Sequence, residues 1–201
     1  MRRTALQILL LLMLAWSKAG HAAGPSAPIM LVAKPELDDQ LFGAAVLVVT
    51  PLGDAGHAGF IVNHPTQVTL AALYPDDASS RKVVDPVYLG GPITPDILFA
   101  LVRAENSPGG SSVELIPGLY AAFEEPVVDG IIEARPDSAR FVAGFVFWEP
   151  GELEQEIELG AWYVMEPDPR ILTRSPSGLW EDLLRRAQLN EEVLNVGNNP
   201  Q

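Results

Sequence analysis

The chain has 201 residues, with 13 Lys and Arg against 26 Asp and Glu, three His and no Cys. The missing cysteine excludes a disulfide scaffold, thiolate metal sites, iron–sulfur ligation and cysteine nucleophiles together. With 48% hydrophobic and 19% charged residues, the chain can bury a core and is not a disordered polymer.

Residues 1–22 read as a secretory signal peptide. Arg2 and Arg3 form a positive start, Ala5 to Trp16 is almost uninterruptedly apolar, and Gly20 and Ala22 are the small residues before a cleavage site. Twelve apolar residues rise only about 18 Å as a helix, short of a hydrocarbon layer of roughly 30 Å. The expected location is therefore the periplasm or the medium, with an uncleaved membrane anchor as the alternative. No later stretch has the length of a membrane span. Cleavage removes Arg2, Arg3 and Lys18, leaving 10 basic residues against 26 acidic and moving the formal charge from −13 to −16. Such a surface repels phosphate backbones and anionic headgroups, so no nucleic-acid partner is expected.

From Ile29 onward, short strands and helices alternate. Ile29 to Val32 is a strand. Ala44 to Thr50 is a continuous apolar run, the pattern of a strand covered on both faces. Pro51 to Gly56 supplies a turn into a strand at Gly59 to Val62, which makes a hairpin. Thr69 caps a short helix ending before Pro75, and Asp76 to Lys82 is a polar loop. Strands follow at Val87 to Leu89 and Ile97 to Val102, then a loop tip at Asn106 to Ser112. Pro126 opens a helix with Val127, Ile131 and Ala134 on one face. Phe141 to Trp148 is the most aromatic strand, Pro150 opens a helix carrying Leu153 and Ile157, and Ala161 to Met165 is a strand. A helix over Gly178 to Leu189 carries the pairs Glu181–Arg185 and Asp182–Arg186. Residues 190–201 lose periodicity and read as a disordered tail. One α+β domain over 29–189 accounts for the whole pattern.

The patterns GxSxG, HExxH, GxxxxGK[ST] and GxGxxG are all missing from the sequence. Three motifs remain. Asn63-His64-Pro65 follows a buried strand; Asn63 and His64 either contact a ligand at the strand end, or Asn63 makes a local Asx-turn and Pro65 stops the strand. Gly90-Gly91-Pro92 follows another; its glycines either admit a ligand or an anion, or serve a chain reversal. Glu149 to Glu158 holds five glutamates, either a metal or paired-carboxylate group or acids favoured at a helix start. Trp148 and Trp162 bracket that helix as packing partners.

These blocks, in this order, resemble the YqgE/AlgH family of bacterial proteins. The matching text is LVAKPELDDQLF, GFIVNHP, YLGGP and GFVFWEPGELEQEIELGAWYV. The resemblance implies a mixed, partly barrel-like sheet flanked by helices. It implies no established activity, and the transcriptional-regulator label of some members implies no DNA-reading motif. His64 stands where the family usually has Lys or Arg, and the signal segment is an addition to the family's usual start.

The reading that follows is an exported, non-enzymatic binding or accessory protein of the bacterial envelope, with no cofactor or metal and a partner and oligomeric state left open. The alternatives are a hydrolase or metal-dependent enzyme using Asn63, His64 and the Glu152–Glu158 group, or an indirect transcriptional regulator. If the strands before the two turns run as parallel neighbours, Asn63, His64, Gly90 and Gly91 line one shallow polar groove.

Overall fold

The two-sided apolar run organises the molecule. In the computed structural model, which describes residues 25–197, it forms strand β2 (Val46–Pro51). Strands β1 (Ile29–Ala33) and β3 (His57–Ile61) flank it in antiparallel register. Val46 and Val48 face one core with Met30 and Phe60. Leu47 and Val49 face another with Leu31, Ile61, Trp148 and Trp162. Each fully buried side chain of this size is worth about 1.5–3 kcal/mol, so β2 stabilises both layers at once.

Beyond β3 the sheet continues through β9 (Ala139–Trp148), β6 (Ile93–Arg103), β8 (Leu119–Ala122) and β7 (Val113–Ile116), and on the other side β1 pairs with β10 (Trp162–Met165). Strands β4 (Pro65–Thr69) and β5 (Pro86–Leu89) pair with each other, and β5 also joins β9. That last pairing is parallel and the others are antiparallel, so the sheet is mixed. It curls into a half-barrel, which brings β2 against β7 although four strands separate them in the order.

Among the described residues, four helices cover the curl. Helix α1 (Leu70–Leu73) starts where the Ala72 N–H donates to the Thr69 hydroxyl at 3.2 Å, and α2 (Glu125–Ala134) carries Pro126 in its first turn. Helix α2 buries Val128, Ile131 and Ile132 against the outer face of β6 and β8. The expected stripe was Val127, Ile131 and Ala134; the helix is rotated because Ile132 offers more apolar area than Ala134. Helix α3 (Glu152–Glu158) buries Leu153. Helix α4 (Leu179–Gly197) closes the interior with Leu179 and Leu183, and its Trp180 indole donates to the Ala33 carbonyl at 2.8 Å. Asp182 collects Arg174, Arg185 at 3.6 Å and Arg186 at 3.1 Å, so Arg185 turns to Asp182 rather than to Glu181.

Several expectations need correcting. The tail expected from Asn190 is helical as far as Gly197. Pro65 does not stop a strand but begins β4, an edge position where its missing N–H costs nothing. The polar loop at 76–82 includes a 3-10 turn over Ser79–Lys82 with Ser80 buried. The hairpin of β7 and β8 had no counterpart in the sequence reading. The signal segment at 1–22 lies outside the described residues.

Candidate functional site

Strands β3 and β5 lie on the same side of β9. They are not parallel neighbours: β3 runs antiparallel to β9 at Val146–Trp148 and β5 parallel to it at Val142–Ala143. They therefore run towards each other and meet beside Gly144. This brings Asn63, His64, Gly90 and Gly91 together, and it also occupies backbone groups of His64 and Gly90. The Ile61 N–H donates to Gly90 O at 2.8 Å, the Leu89 N–H to His64 O at 2.9 Å, and the Gly90 N–H to Ala143 O at 2.8 Å. The close approach that glycine permits is used by the protein's own chain. A Cβ on Gly91 would lie 2.2 Å from the Phe145 carbonyl carbon, and one on Gly90 would lie 2.3 Å from Gly144 O. Gly144 itself has φ +71°, and a Cβ there would meet Gly91 O at 2.4 Å.

The Asn63 side chain works over a long range rather than as an Asx-turn. Its Oδ1 accepts from the Val46 N–H and its Nδ2 donates to Ala44 O, both at 2.8 Å. It thus continues the β2–β3 ladder and pins Ala44, whose φ is +56°. Burial holds the His64 imidazole below its ordinary pKa, partly offset by hydrogen bonding to the Ala44 backbone, so it is neutral at physiological pH.

Behind this junction sits Arg140, 4% exposed. Its guanidinium donates to Val62 O, to Leu172 O at 2.9 Å and to Arg174 O at 2.9 Å, and lies 4.4 Å from the Tyr88 ring centroid. Burial lowers its pKa, while Tyr88 and Asp85 act in the opposite sense. The one sequence signal was an arginine inside an otherwise apolar and aromatic strand, a residue type rarely buried without partners.

The glutamates of α3 divide their duties. Glu156 accepts both indole N–H groups, from Trp148 at 3.1 Å and Trp162 at 2.8 Å. Burial raises its pKa, the two indole hydrogen bonds oppose the rise, and Glu152 adds to it. Glu152 accepts from the Glu149 N–H at 2.7 Å. Glu154 faces the His57 Nδ1 at 3.9 Å, and the His57 Nε2 lies 3.1 Å from Pro25 O. Among the described residues, no group of three or more His, Asp or Glu is arranged to hold a metal ion.

An open surface lies on the outer side of the sheet, between α1, the start of β6 and α2. Strand β6 bulges here: Ile93 pairs with Phe145 and Leu98 with Ala143, so the four residues between them oppose Gly144 alone. The bulge lifts Pro95, Asp96 and Ile97 off the sheet, with Thr94 at φ +46°. On one side is a recess of about 300 Å³ floored by Val87, Leu98 and Ala143. On the other is a groove of about 510 Å³ between Tyr74, Ile97, Leu98 and Phe123 and the α2 residues Val128 and Ile132. Val68, Leu73, Tyr74, Ile97 and Phe123 are each 40–48% exposed, a concentration of large apolar side chains that soluble surfaces rarely carry without use. Along the α2 rim stand Glu125, Asp129 and Glu133.

The AlgH-like family model matches residues 30–192, from the second residue of β1 well into α4. The chain belongs to the AlgH-like family. The UPF0301 protein of Streptomyces avermitilis is 34% identical over 170 residues, covering 81% of this chain and 86% of that protein. The UPF0301 protein of Myxococcus xanthus is 29% identical over 176 residues, covering 85% and 96%. The solution structure of AlgH from Pseudomonas aeruginosa superposes with a TM-score of 0.63 at 26% identity, over 89% of this chain and 93% of that one. A crystal structure of a Corynebacterium diphtheriae protein shares the AlgH-like fold, with a TM-score of 0.66 at 24% identity over 81% and 87% of the two chains. The curled sheet with its four helices is thus the AlgH-like fold, and these relatives assign it no activity.

Proposed function

We propose that this AlgH-like chain is an exported, non-enzymatic binding or accessory protein of the bacterial envelope, and that its contact surface is the groove between α1, the β6 bulge and α2. The observation that carries the reading is the exposed apolar lining of that groove, in which Tyr74, Ile97 and Phe123 converge on a recess of about 510 Å³. Sites of this kind take a ligand or partner on apolar side chains with a few polar groups at the edge. Asn63, His64, Gly90 and Gly91 serve it from behind. They fix the β3–β5 junction, which sets the position of β4 and of Val87 in the floor. The export half of the reading rests on the pattern of residues 1–22. The formal charge of −16 after cleavage supports a partner other than nucleic acid.

Two experiments test it. N-terminal sequencing of the native protein from periplasmic and cytoplasmic fractions should find a chain beginning near Ala23 outside the cytoplasm; an intact Met1 in the cytoplasm overturns export. A photo-crosslinking residue placed at Ile97 or Phe123 should capture a specific partner in cells. The same residue at Leu159, exposed on the α3 side, should not. Equal yields from all three positions overturn the groove.

A further inference from the structure

Helix α2 carries Glu125, Asp129 and Glu133 at successive intervals of four, so all three stand on one face, along the groove. Like charges at this spacing weaken a helix, and Asp129 shows the strain. Its pKa is raised by partial burial first, then by Glu125, Asp77 and Glu133. Among the described residues, no Lys, Arg or His lies within 4.0 Å of any of these three carboxylates. The neighbouring cations bond main-chain oxygens rather than these carboxylates. Lys82 Nζ donates to the main-chain carbonyl of Glu133 at 3.4 Å, and Arg81 donates to Pro75 O at 3.1 Å. Asp77 is engaged locally, accepting from the Ser79 and Ser80 N–H groups at 2.9 Å. The chain therefore places an acidic row, without an ion-pair partner among the described residues, beside an apolar groove.

Resting on the groove reading above, we propose that the occupant is a cationic, apolar peptide segment that lays aliphatic side chains on Ile97, Leu98 and Phe123 and sets lysine or arginine against Glu125, Asp129 and Glu133. The charge excludes the competing surfaces. An anionic bilayer and a nucleic acid are both repelled by the row, and a second copy of this chain brings an acidic surface of its own. A bare polycation satisfies the row but leaves Ile97 and Phe123 in water. Only a segment carrying both features answers both walls, in the manner of a peptide held by apolar anchors with charges setting orientation and specificity.

The test is fluorescence anisotropy with the mature protein and a labelled peptide of alternating leucine and lysine. The comparison probes are the leucine–glutamate counterpart, oligolysine and spermine. Saturable, salt-weakened binding of the leucine–lysine peptide is expected. The triple variant Glu125→Gln, Asp129→Asn, Glu133→Gln should bind it about tenfold more weakly, because exposed ion pairs are individually modest and three act together. The pair Glu158→Gln, Glu166→Gln, distant from α2, should bind it as the parent does. Unchanged binding in the triple variant overturns the proposal, and equal loss in the control pair overturns it in favour of bulk charge. Equal binding of oligolysine or spermine overturns its apolar half. If the leucine–glutamate peptide binds equally and Ile97→Ser abolishes both, the cationic occupant is wrong and the groove reading stands. If the parent binds neither peptide, the proposal fails, and crosslinking at Ile97 still decides the groove by itself.

Discussion

Replacing Asn63 by alanine deletes the two hydrogen bonds that join the end of β3 to the start of β2. The two broken ends differ. Val46 is fully buried, so its N–H is left without a partner or water, at a cost of about 1–3 kcal/mol. Ala44 lies at the exposed turn before it, so its carbonyl recovers water and its loss is nearer the ordinary net value of about 0.5–1.5 kcal/mol. Together these give about 2–4 kcal/mol, a large share of the stability of a domain this size. Urea unfolding followed by the fluorescence of Trp148, Trp162 and Trp180 measures it. With m of about 2 kcal/mol/M, the middle of the usual urea range, the midpoint should fall by about 1–2 M at unchanged m. Asn63→Asp keeps the acceptor for Val46 but turns a carboxylate oxygen towards Ala44 O, so it should not restore stability. A loss below about 0.5 kcal/mol for Asn63→Ala would refute the reasoning, and would return Asn63 to the role of a ligand contact with polar atoms to spare.

Further outcomes follow from the same geometry. Glu156→Ala strands two buried indole N–H groups and should cost about 2–4 kcal/mol, whereas Glu156→Gln keeps an acceptor oxygen and should cost under about 1 kcal/mol; urea midpoints separate the two. Glu156 and Asp129 both have raised carboxyl pKa values in the folded state. The folded protein therefore holds these protons more tightly than the unfolded chain, and their contribution to stability falls as pH rises from the ordinary carboxylate range through the raised values. Urea midpoints taken across that window should show this slope weakened in Glu156→Gln. At neutral pH, Asp129→Asn removes two like-charge pairs and should stabilise the protein by about 0.4–1 kcal/mol, seen as a higher thermal midpoint. Arg140→Lys cannot reach three carbonyls with one ammonium and should cost about 2–4 kcal/mol. Gly91→Ala drives a methyl into the Phe145 backbone and should prevent accumulation of folded protein in soluble extracts.

The sequence was most readable where burial is two-sided or a cap is explicit. The apolar run of β2, the β2–β3 hairpin, the Thr69 cap and the Pro126 helix start are local signals, and each appears at its place. Strand β4 left no signal because four of its five residues are exposed and, among the described residues, β5 is its one strand partner. The β7–β8 hairpin was short, and its mark was only the Pro117-Gly118 turn. Asn63, His64, Gly90 and Gly91 were rightly seen as ends of buried strands. What the spacing did not carry was the direction of β5 against β9, and with it the use of their polar groups inside the fold. The groove was invisible for a different reason. Its walls come from α1, β6 and α2, and its defining side chains are apolar residues left outside, which periodicity reads as ordinary strand and helix positions. Gly144 was the overlooked clue, since a glycine inside a strand marks a bulge or a close backbone approach.

The pairing of β1 with β10 has a consequence for how the molecule is made. Met30 lies opposite Met165, and Ala33 opposite Trp162, so the first strand waits for nearly the whole domain before its outer edge is covered. The β3–β9 and β6–β9 pairings are likewise joined only after long stretches of chain. Long-range strand pairing of this kind places folding in the millisecond-to-second class rather than the microsecond class of helical bundles. Until Met165 has emerged and docked, Ile29–Ala33 presents an apolar strand with one row of unpaired amides and carbonyls, a template for pairing with another chain. A chain truncated before Trp162 keeps that edge permanently, so its fate is aggregation rather than a smaller folded protein.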